Sequence, residues 1–458
     1  YTLAPASRSI NDAAASGSFS VQTQAASTWS AASNAAWIQV TQPSGSVTGP
    51  GNVSYSVQAN TGTTSRTGTI TVGTATFTVT QAGRTATPPT TPPTTPPTTP
   101  PTNPPATSLA GTYMGLVERN AGLNGLEDAY EGFGGSIKLT STANGSFTGT
   151  LRLGKASHSL RGAFTDDGFG ASAEVTVARR APLSPLVLNL QLDPEFGTLE
   201  GELQDDYDLA GITAVRTQAS SAAAGVYNIA LTGMGGDAWS SPQGDGFACV
   251  KISASGQVSA RGKLADGSSF TAGSALCVDG QIPVFQMLYS SRGSMTGWTT
   301  LSESGEVEGS LLWLKNAQAR PGRNYSEGFD TELQILGGKY TAPANGQTPM
   351  DLPGELAIEF IGGALMEDIV QDFTLNSRMA PVFPANAHSI KLSLNKSTGL
   401  YTGSFMVPDA DRPGKFLKAT CAGALCPGLW NASGAGYFLL PESSEKNAAI
   451  LSGQAIIR

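Results

Sequence analysis

Apolar and polar residues alternate in short runs along most of this chain, and glycine closes the runs at regular places. The recurring unit is glycine, any residue, an apolar residue, Ser/Thr/Glu, then glycine. It occurs as Gly145-Ser-Phe-Thr-Gly149, Gly197-Thr-Leu-Glu-Gly201, Gly293-Ser-Met-Thr-Gly297, Gly305-Glu-Val-Glu-Gly309 and Gly399-Leu-Tyr-Thr-Gly403, with a degenerate copy at Gly256-Gln-Val-Ser-Ala260. A period of two is that of a half-buried strand. The leading glycine suits a tight turn, and the second falls inside the strand, where a missing side chain permits a bend. The pattern predicts hairpins throughout and an all-β protein. The best helical candidate is Leu365-Met-Glu-Asp-Ile-Val-Gln-Asp-Phe373, within an insertion at about 361–387.

Residues 1–84 hold short alternating stretches such as Trp37-Ile-Gln-Val and Thr76-Phe-Thr-Val-Thr, separated by turn residues at intervals that suit a sandwich. Several of their details are specific: Tyr1-x-Leu3-x-Pro5, Trp29-Ser-Ala, Asn34-Ala-Ala-Trp37-Ile38, Val53-x-Tyr55-x-Val57-x-x-Asn60, Ser65-Arg66-Thr67-Gly68 and Phe77-Thr-Val-Thr-Gln81. On these residues the segment resembles the BACON domain, an immunoglobulin-like module of secreted and surface proteins. The resemblance implies glycan or mucin binding, or a spacer role. Trp29 and Trp37 sit where the sandwich needs core.

Residues 85–107 repeat Pro-Pro-Thr-Thr. Tandem prolines enforce polyproline II, so the stretch reads as a stalk of roughly 60–70 Å at ~3.1 Å per residue. Its threonines Thr90, Thr91, Thr94, Thr95, Thr98 and Thr99 are candidate O-glycosylation sites.

Beyond the stalk an internal repeat is marked by Gly111-Thr-Tyr113, Gly225-Val-Tyr227 and Gly338-Lys-Tyr340, spaced 114 and 113 residues apart. The expected units are 108–217, 218–336 and 337–458. Each is long enough for about eight antiparallel strands, the number that closes a small barrel filled by its own side chains. Three separate barrels or one larger sheet both satisfy the pattern. Gly262-Lys-Leu-Ala-Asp-Gly267 and Gly434-Ala-Gly-Tyr-Phe-Leu-Leu440 resemble repetitive bacterial β-modules without an assigned function.

Charge narrows the partners. The 458 residues carry a net −8 with 14% charged residues, which argues against nucleic acid. No apolar run reaches the ~20 residues of a membrane helix. Composition and stalk point to a secreted or cell-surface protein. In that setting Cys249, Cys277, Cys421 and Cys426 read as two disulfides.

Candidate chemistry is thin. There is no G-x-S-x-G elbow, and His158 and His388 are the only possible imidazole bases. Acidic residues such as Glu127, Asp128 and Asp266 fall at expected turns rather than in a converging pair. Asp205-Asp206-x-Asp208 and Asp409-x-Asp411 match no calcium loop. No metal, no cofactor and no enzymatic activity are expected. Sugar binding needs exposed aromatic faces. The loop after the first strand of unit one offers Tyr130 and Phe133, and that of unit two offers Trp239. Two functions compete. One is an extracellular assembly subunit, a filament or surface coat, whose N-terminal module docks head-to-tail on another copy. The other is a carbohydrate-binding surface protein or adhesin with extracellular glycans as partners. The lack of catalytic chemistry, the repeats and the small polar residues favour the first.

Overall fold

The computed structural model describes all residues except 5–6, 11–14, 25, 43–44, 50, 63, 82–107, 120–132, 167–170, 180–183, 206–208, 234–235, 319–321, 345–346 and 377–379. The stalk threonines and Tyr130 therefore lie outside the described residues. The chain divides into two units, Tyr1–Asn103 and Pro104–Arg458.

Among its described residues the first unit is a sandwich of two four-stranded sheets, with a short two-stranded ribbon of Thr28–Trp29 and Val47–Thr48 beside them. Ala15–Gln22, Gly51–Val57 and Ile38–Gln42 belong to one, and Ala75–Gln81, Arg66–Val72 and Ala31–Ser33 to the other. Inward positions of both sheets, including Val53, Tyr55, Ile70, Phe77 and Val79, close one core. Trp29 is buried there and donates its indole N–H to the Gly49 carbonyl at 2.7 Å. Trp37 is only partly buried and carries the Arg66 guanidinium 4.3 Å above its ring. Neither indole is left open as a stacking platform.

Among its described residues the second unit contains three antiparallel sheets of nine, eight and eight strands. In the first two, the opening strand pairs with the closing one: Gly111–Val117 with Leu209–Arg216, and Gly225–Gly233 with Phe329–Lys339. In the third, Glu355–Gly362 pairs with Ile450–Ile457. Each sheet thus curls into a nearly closed barrel, with its seam between strands consecutive in sequence. At the second seam, Ser274 Oγ bridges to the Pro283 carbonyl at 2.5 Å. The alternation puts Leu, Ile, Val and Phe inside, as in Gly135–Ser141, where Ile137 and Leu139 are buried and Lys138 and Thr140 are exposed.

Two expectations change here. Leu365–Phe373 forms no helix: Ile369–Leu375 is a strand paired with Glu355–Gly362. Ile369 and Phe373 are four apart, which serves one face of a helix or of a strand equally, so the neighbouring strand decides. Gly338-Lys-Tyr340 does not open the third barrel either. Gly338 and Lys339 pair with Asn228 and Tyr227 to close the second, and Tyr340 enters the core of the third.

The disulfides are a further correction, because all four cysteines are free. Cys249 pairs in register with Arg261, and Arg261 with Thr271, so Cys277 lies two strands away and further along. That exceeds the roughly 4–7 Å between Cα atoms that a disulfide spans. Cys421 and Cys426 lie in and just beyond the straight strand Phe416–Leu425, so five extended residues separate them by roughly 16 Å. The odd spacing also turns them to opposite faces, Cys421 into the core of the third barrel and Cys426 into that of the second. Burial pushes the thiols of Cys277 and Cys421 up to about 12. Thiol titration should therefore find four groups in the denatured, unreduced protein and scarcely any fast-reacting group in the folded one. A denatured count near zero would restore the disulfides.

Second and third barrels share a core. In Phe416–Leu425 the inside–outside alternation stops at Cys421, and every residue from there to Leu425 is buried. Ala422, Ala424, Cys426, Ala435 and Tyr437 pack into the cluster built by the second barrel. Buried polar groups cross the same junction. Asn228 Nδ2 donates to the Thr398 and Leu425 carbonyls at 2.8 and 2.9 Å. Ser452 Oγ donates to the Ala265 carbonyl at 2.6 Å.

Asp245 lies in this junction, with Gln454 Nε2 at 3.4 Å from both of its carboxyl oxygens. Burial raises its carboxyl from 3.8 to about 6, against the pull of hydrogen bonds from Thr232 and Gln454. A raised acid contributes stability that is full below the unfolded value and is lost as pH climbs through the folded one. The loss should amount to about 3 kcal/mol, complete above roughly pH 6. Asp245→Asn should accordingly melt higher than the parent at pH 7, and the gap should shrink towards about pH 4. A gap that does not change with pH would show that Asp245 is not the titrating group.

Candidate functional site

Where the second barrel meets the third, a cleft of about 400 Å³ opens beside Trp239. It is built by three segments. Asp237, Trp239 and Ser240 come from the loop after Gly225–Gly233; Arg323, Tyr325 and Glu327 come from the loop before Phe329–Lys339; Ala449 and Leu451 come from the last hairpin. The first loop is pinned by its own aspartate. Asp237 accepts the Trp239 backbone N–H at 2.8 Å, and the Ser240 and Ser241 N–H groups donate to its carbonyl at 3.1 Å. This local turn points the indole outwards, 57% exposed. The hydrogen bonds from Ser240 and Trp239 also hold the Asp237 carboxyl below its ordinary range, so it stands as an anion.

The opposite wall is hydrogen-bonded to the last hairpin. Arg323 donates through Nε to the Ala448 carbonyl and through its own carbonyl accepts Ile450 N–H, both at 2.8 Å. Tyr325 holds a φ of +46° and accepts the Ser452 N–H at 2.9 Å, with its ring edge-on to Phe329. The cleft thus offers one bare indole face flanked by carboxylates, a guanidinium and hydroxyls on fixed backbone. An arrangement of that kind suits a ligand with one apolar face and a hydroxylated rim. As the Asp237 carboxyl is shifted downward, it is not poised to donate a proton, which a glycosidic acid must do.

The other sequence candidates fall elsewhere. Phe133 is buried, 3% exposed, and its carbonyl accepts a hydrogen bond from Ser294 of the second barrel at 2.9 Å, so it joins barrels rather than binding a sugar. Asp205 is engaged by Arg179 at 3.2 Å, both side chains almost fully enclosed, and is unavailable to a cation. Asp409 accepts the N–H groups of Asp411 and Ser444, shaping its own loop. His158 lies on a strand of the first barrel, with its pKa lowered by burial and by Arg179. No group of acidic, cysteine or histidine side chains fit to hold a metal occurs among the described residues. No helix among them is long and apolar enough to cross a membrane. Arg323, Tyr325 and Glu327 carry no sequence signal as a site, because what gathers them with Trp239 is the pairing of the opening and closing strands of the second barrel, about 100 residues apart in sequence.

The chain is similar in structure to a mutant of the vaccine antigen transferrin binding protein B of Haemophilus parasuis Hp5. The match has 11% identity and a TM-score of 0.19, covering 94% of this chain and 85% of that one. It is similar also to isotype 1 transferrin binding protein B of serogroup B Neisseria meningitidis, at 11% identity and a TM-score of 0.19, with 97% and 84% covered. No curated protein matches the sequence. Residues 1–87 match the family described as the viral BACON domain, the family that this segment resembles on its own residues.

Proposed function

We propose that this chain is a secreted or cell-surface binding protein without enzymatic activity, and that the cleft at Trp239 holds a saccharide. The observation that carries the reading is a 57% exposed indole on a hydrogen-bonded turn, set in a polar-rimmed cleft between two barrels with a common core. Large exposed aromatics on rigid supports give binding energy at little entropic cost. The BACON-like module and the Pro-Thr repeat in the sequence are in keeping with a protein that binds extracellular glycans. Self-association into a filament or coat has behind it only the repeats and the stalk, which a binding protein shares.

Titrating the full chain with a panel of neutral mono- and disaccharides, read by tryptophan fluorescence and protein NMR, tests the proposal. At least one sugar should perturb the Trp239 signals, and Trp239→Ala should weaken its binding by about tenfold or more, a loss typical of a central aromatic anchor. Binding that survives Trp239→Ala unchanged, or no response to any sugar, would refute it.

A further inference from the structure

A second groove, of about 280 Å³, runs between the first and second barrels. Met114 and Leu116, Ser136 and Lys138, and Thr150 and Arg152 supply one wall from three neighbouring strands; Gly273, Pro283 and Phe285 supply the other. The two barrels are joined independently of it, by the paired hydrogen bonds of Arg119 to Asp330 at 3.0 and 2.8 Å and by Ser294 to the Phe133 carbonyl. The groove is therefore part of a fixed junction, and junctions between domains are a common place for small-ligand sites.

Its charge is out of keeping with the chain. The protein carries a net −8, yet among the described residues no carboxylate lines this groove, and two cations do. The register sets Lys138 opposite Thr150 and Ser136 opposite Arg152, which makes Lys138 and Arg152 diagonal neighbours at roughly 7–8 Å. Both are exposed, and among the described residues no ion pair engages either. Like charges so placed repel each other, and an anion lying between them relieves that. Met114, beside Lys138 on the neighbouring strand, and Phe285, on the facing barrel, are half-buried and give the groove apolar surface, while Ser136 and Thr150 add hydroxyls.

We infer that this groove binds an anionic monosaccharide unit. Its carboxylate or sulfate lies between Lys138 and Arg152, and its ring lies over Met114 and Phe285. The site is separate from the Trp239 cleft, with which it shares no residue. Together they would let one molecule engage an acidic glycan at two points.

Calorimetric titration of the full chain with glucuronic acid, N-acetylglucosamine 6-sulfate, glucose and inorganic sulfate tests it. One of the two acidic sugars should bind at least about tenfold more tightly than glucose and than bare sulfate, and which one it is identifies the anion. Lys138→Ala and Arg152→Ala should each weaken that binding by about tenfold, the double variant should abolish it, and added salt should weaken it. Trp239→Ala should leave it unchanged, so that failure of the neutral-sugar proposal and of this one are told apart. Unaltered binding in the double variant would overturn the inference. So would glucose or inorganic sulfate matching the acidic sugars, since the first needs no cations and the second needs no apolar surface. No binding of either acidic sugar at millimolar concentration overturns it as well.

Discussion

Lys315→Met is expected to destabilise the second barrel by roughly 3–5 kcal/mol, the usual cost of removing one partner from a buried ion pair. Lys315 and Asp266 are 3.7 Å apart, with side chains only 4% and 1% exposed. Around them the polar groups are satisfied in a chain. Trp313 Nε1 donates to the Tyr289 hydroxyl at 2.9 Å, that hydroxyl donates to Asp266 at 2.8 Å, and Lys315 Nζ donates to the Asn324 carbonyl at 2.9 Å. The ammonium also lies 4.9 Å from the centre of the Tyr289 ring. Burial lowers the Lys315 pKa, opposed by the attraction of Asp266, and burial with Asp266 nearby drives the Tyr289 hydroxyl far above its usual value. Without the lysine, a carboxylate stays enclosed with no counter-charge. Adding Asp266→Asn to Lys315→Met removes that charge and keeps an acceptor for Tyr289, so the double variant should recover stability relative to Lys315→Met alone. Urea denaturation followed by tryptophan fluorescence gives both numbers. A cost below about 1 kcal/mol for the single variant would place the pair with solvent-screened surface bridges.

The strand glycines should be nearly as sensitive. At Gly201 an added Cβ would stand 2.3 Å from the Asn189 carbonyl oxygen, at Gly403 2.4 Å from that of Lys391, and at Gly149 2.5 Å from that of Lys138. In each case the obstacle is backbone of the paired strand, which cannot swing aside as a side chain can. Gly309 meets the Trp298 carbonyl at 2.3 Å and has a φ of +151° besides. Valine at any of these positions should cost about 3 kcal/mol, near the top of the overpacking range, despite its liking for strands. Gly273 is the control, since it lies inside the strand Ser269–Ala275 with nothing within 4 Å of its Cβ position. Gly273→Val should be neutral or slightly stabilising. Equal melting temperatures for Gly201→Val and Gly273→Val would mean that the recurring glycines are ordinary strand positions.

Much of the architecture was legible because it is written in local periods. The alternation of two marks the inward faces, so Ile137, Leu139, Leu188 and Leu190 could be placed in a core by counting. The turn glycines were equally plain, and Gly145 and Gly305 adopt φ of +82° and +87°. Even the shared core of the second and third barrels leaves a trace, in runs such as Cys421-Ala-Gly-Ala-Leu425 that are apolar or small without alternation. A strand covered on both faces reads in this way.

The sequence by itself determined an all-β chain and its sandwich module, since periodicity and turn chemistry depend on neighbours a few residues apart, while the closing of the remaining strands into three barrels rather than one larger sheet rested on the pairing of distant strands. Tertiary structure alone decided the rest. Whether Ile369 and Phe373 share a helix or a strand depended on Glu355–Gly362 lying alongside. Whether the cysteines meet depended on register across three strands and on which barrel each side chain enters. Trp239 was visible as a loop aromatic, but Arg323 and Glu327 join it only through the pairing of Gly225–Gly233 with Phe329–Lys339, and the last hairpin completes the cleft from more than 100 residues further on. Lys138 and Arg152 are unremarkable on a strand pattern; the hairpin register makes them neighbours, and only the second barrel makes a groove of the place where they stand. Alternation fixes which way a side chain points; it says nothing of what stands opposite, and on that the candidate sites of this protein depend.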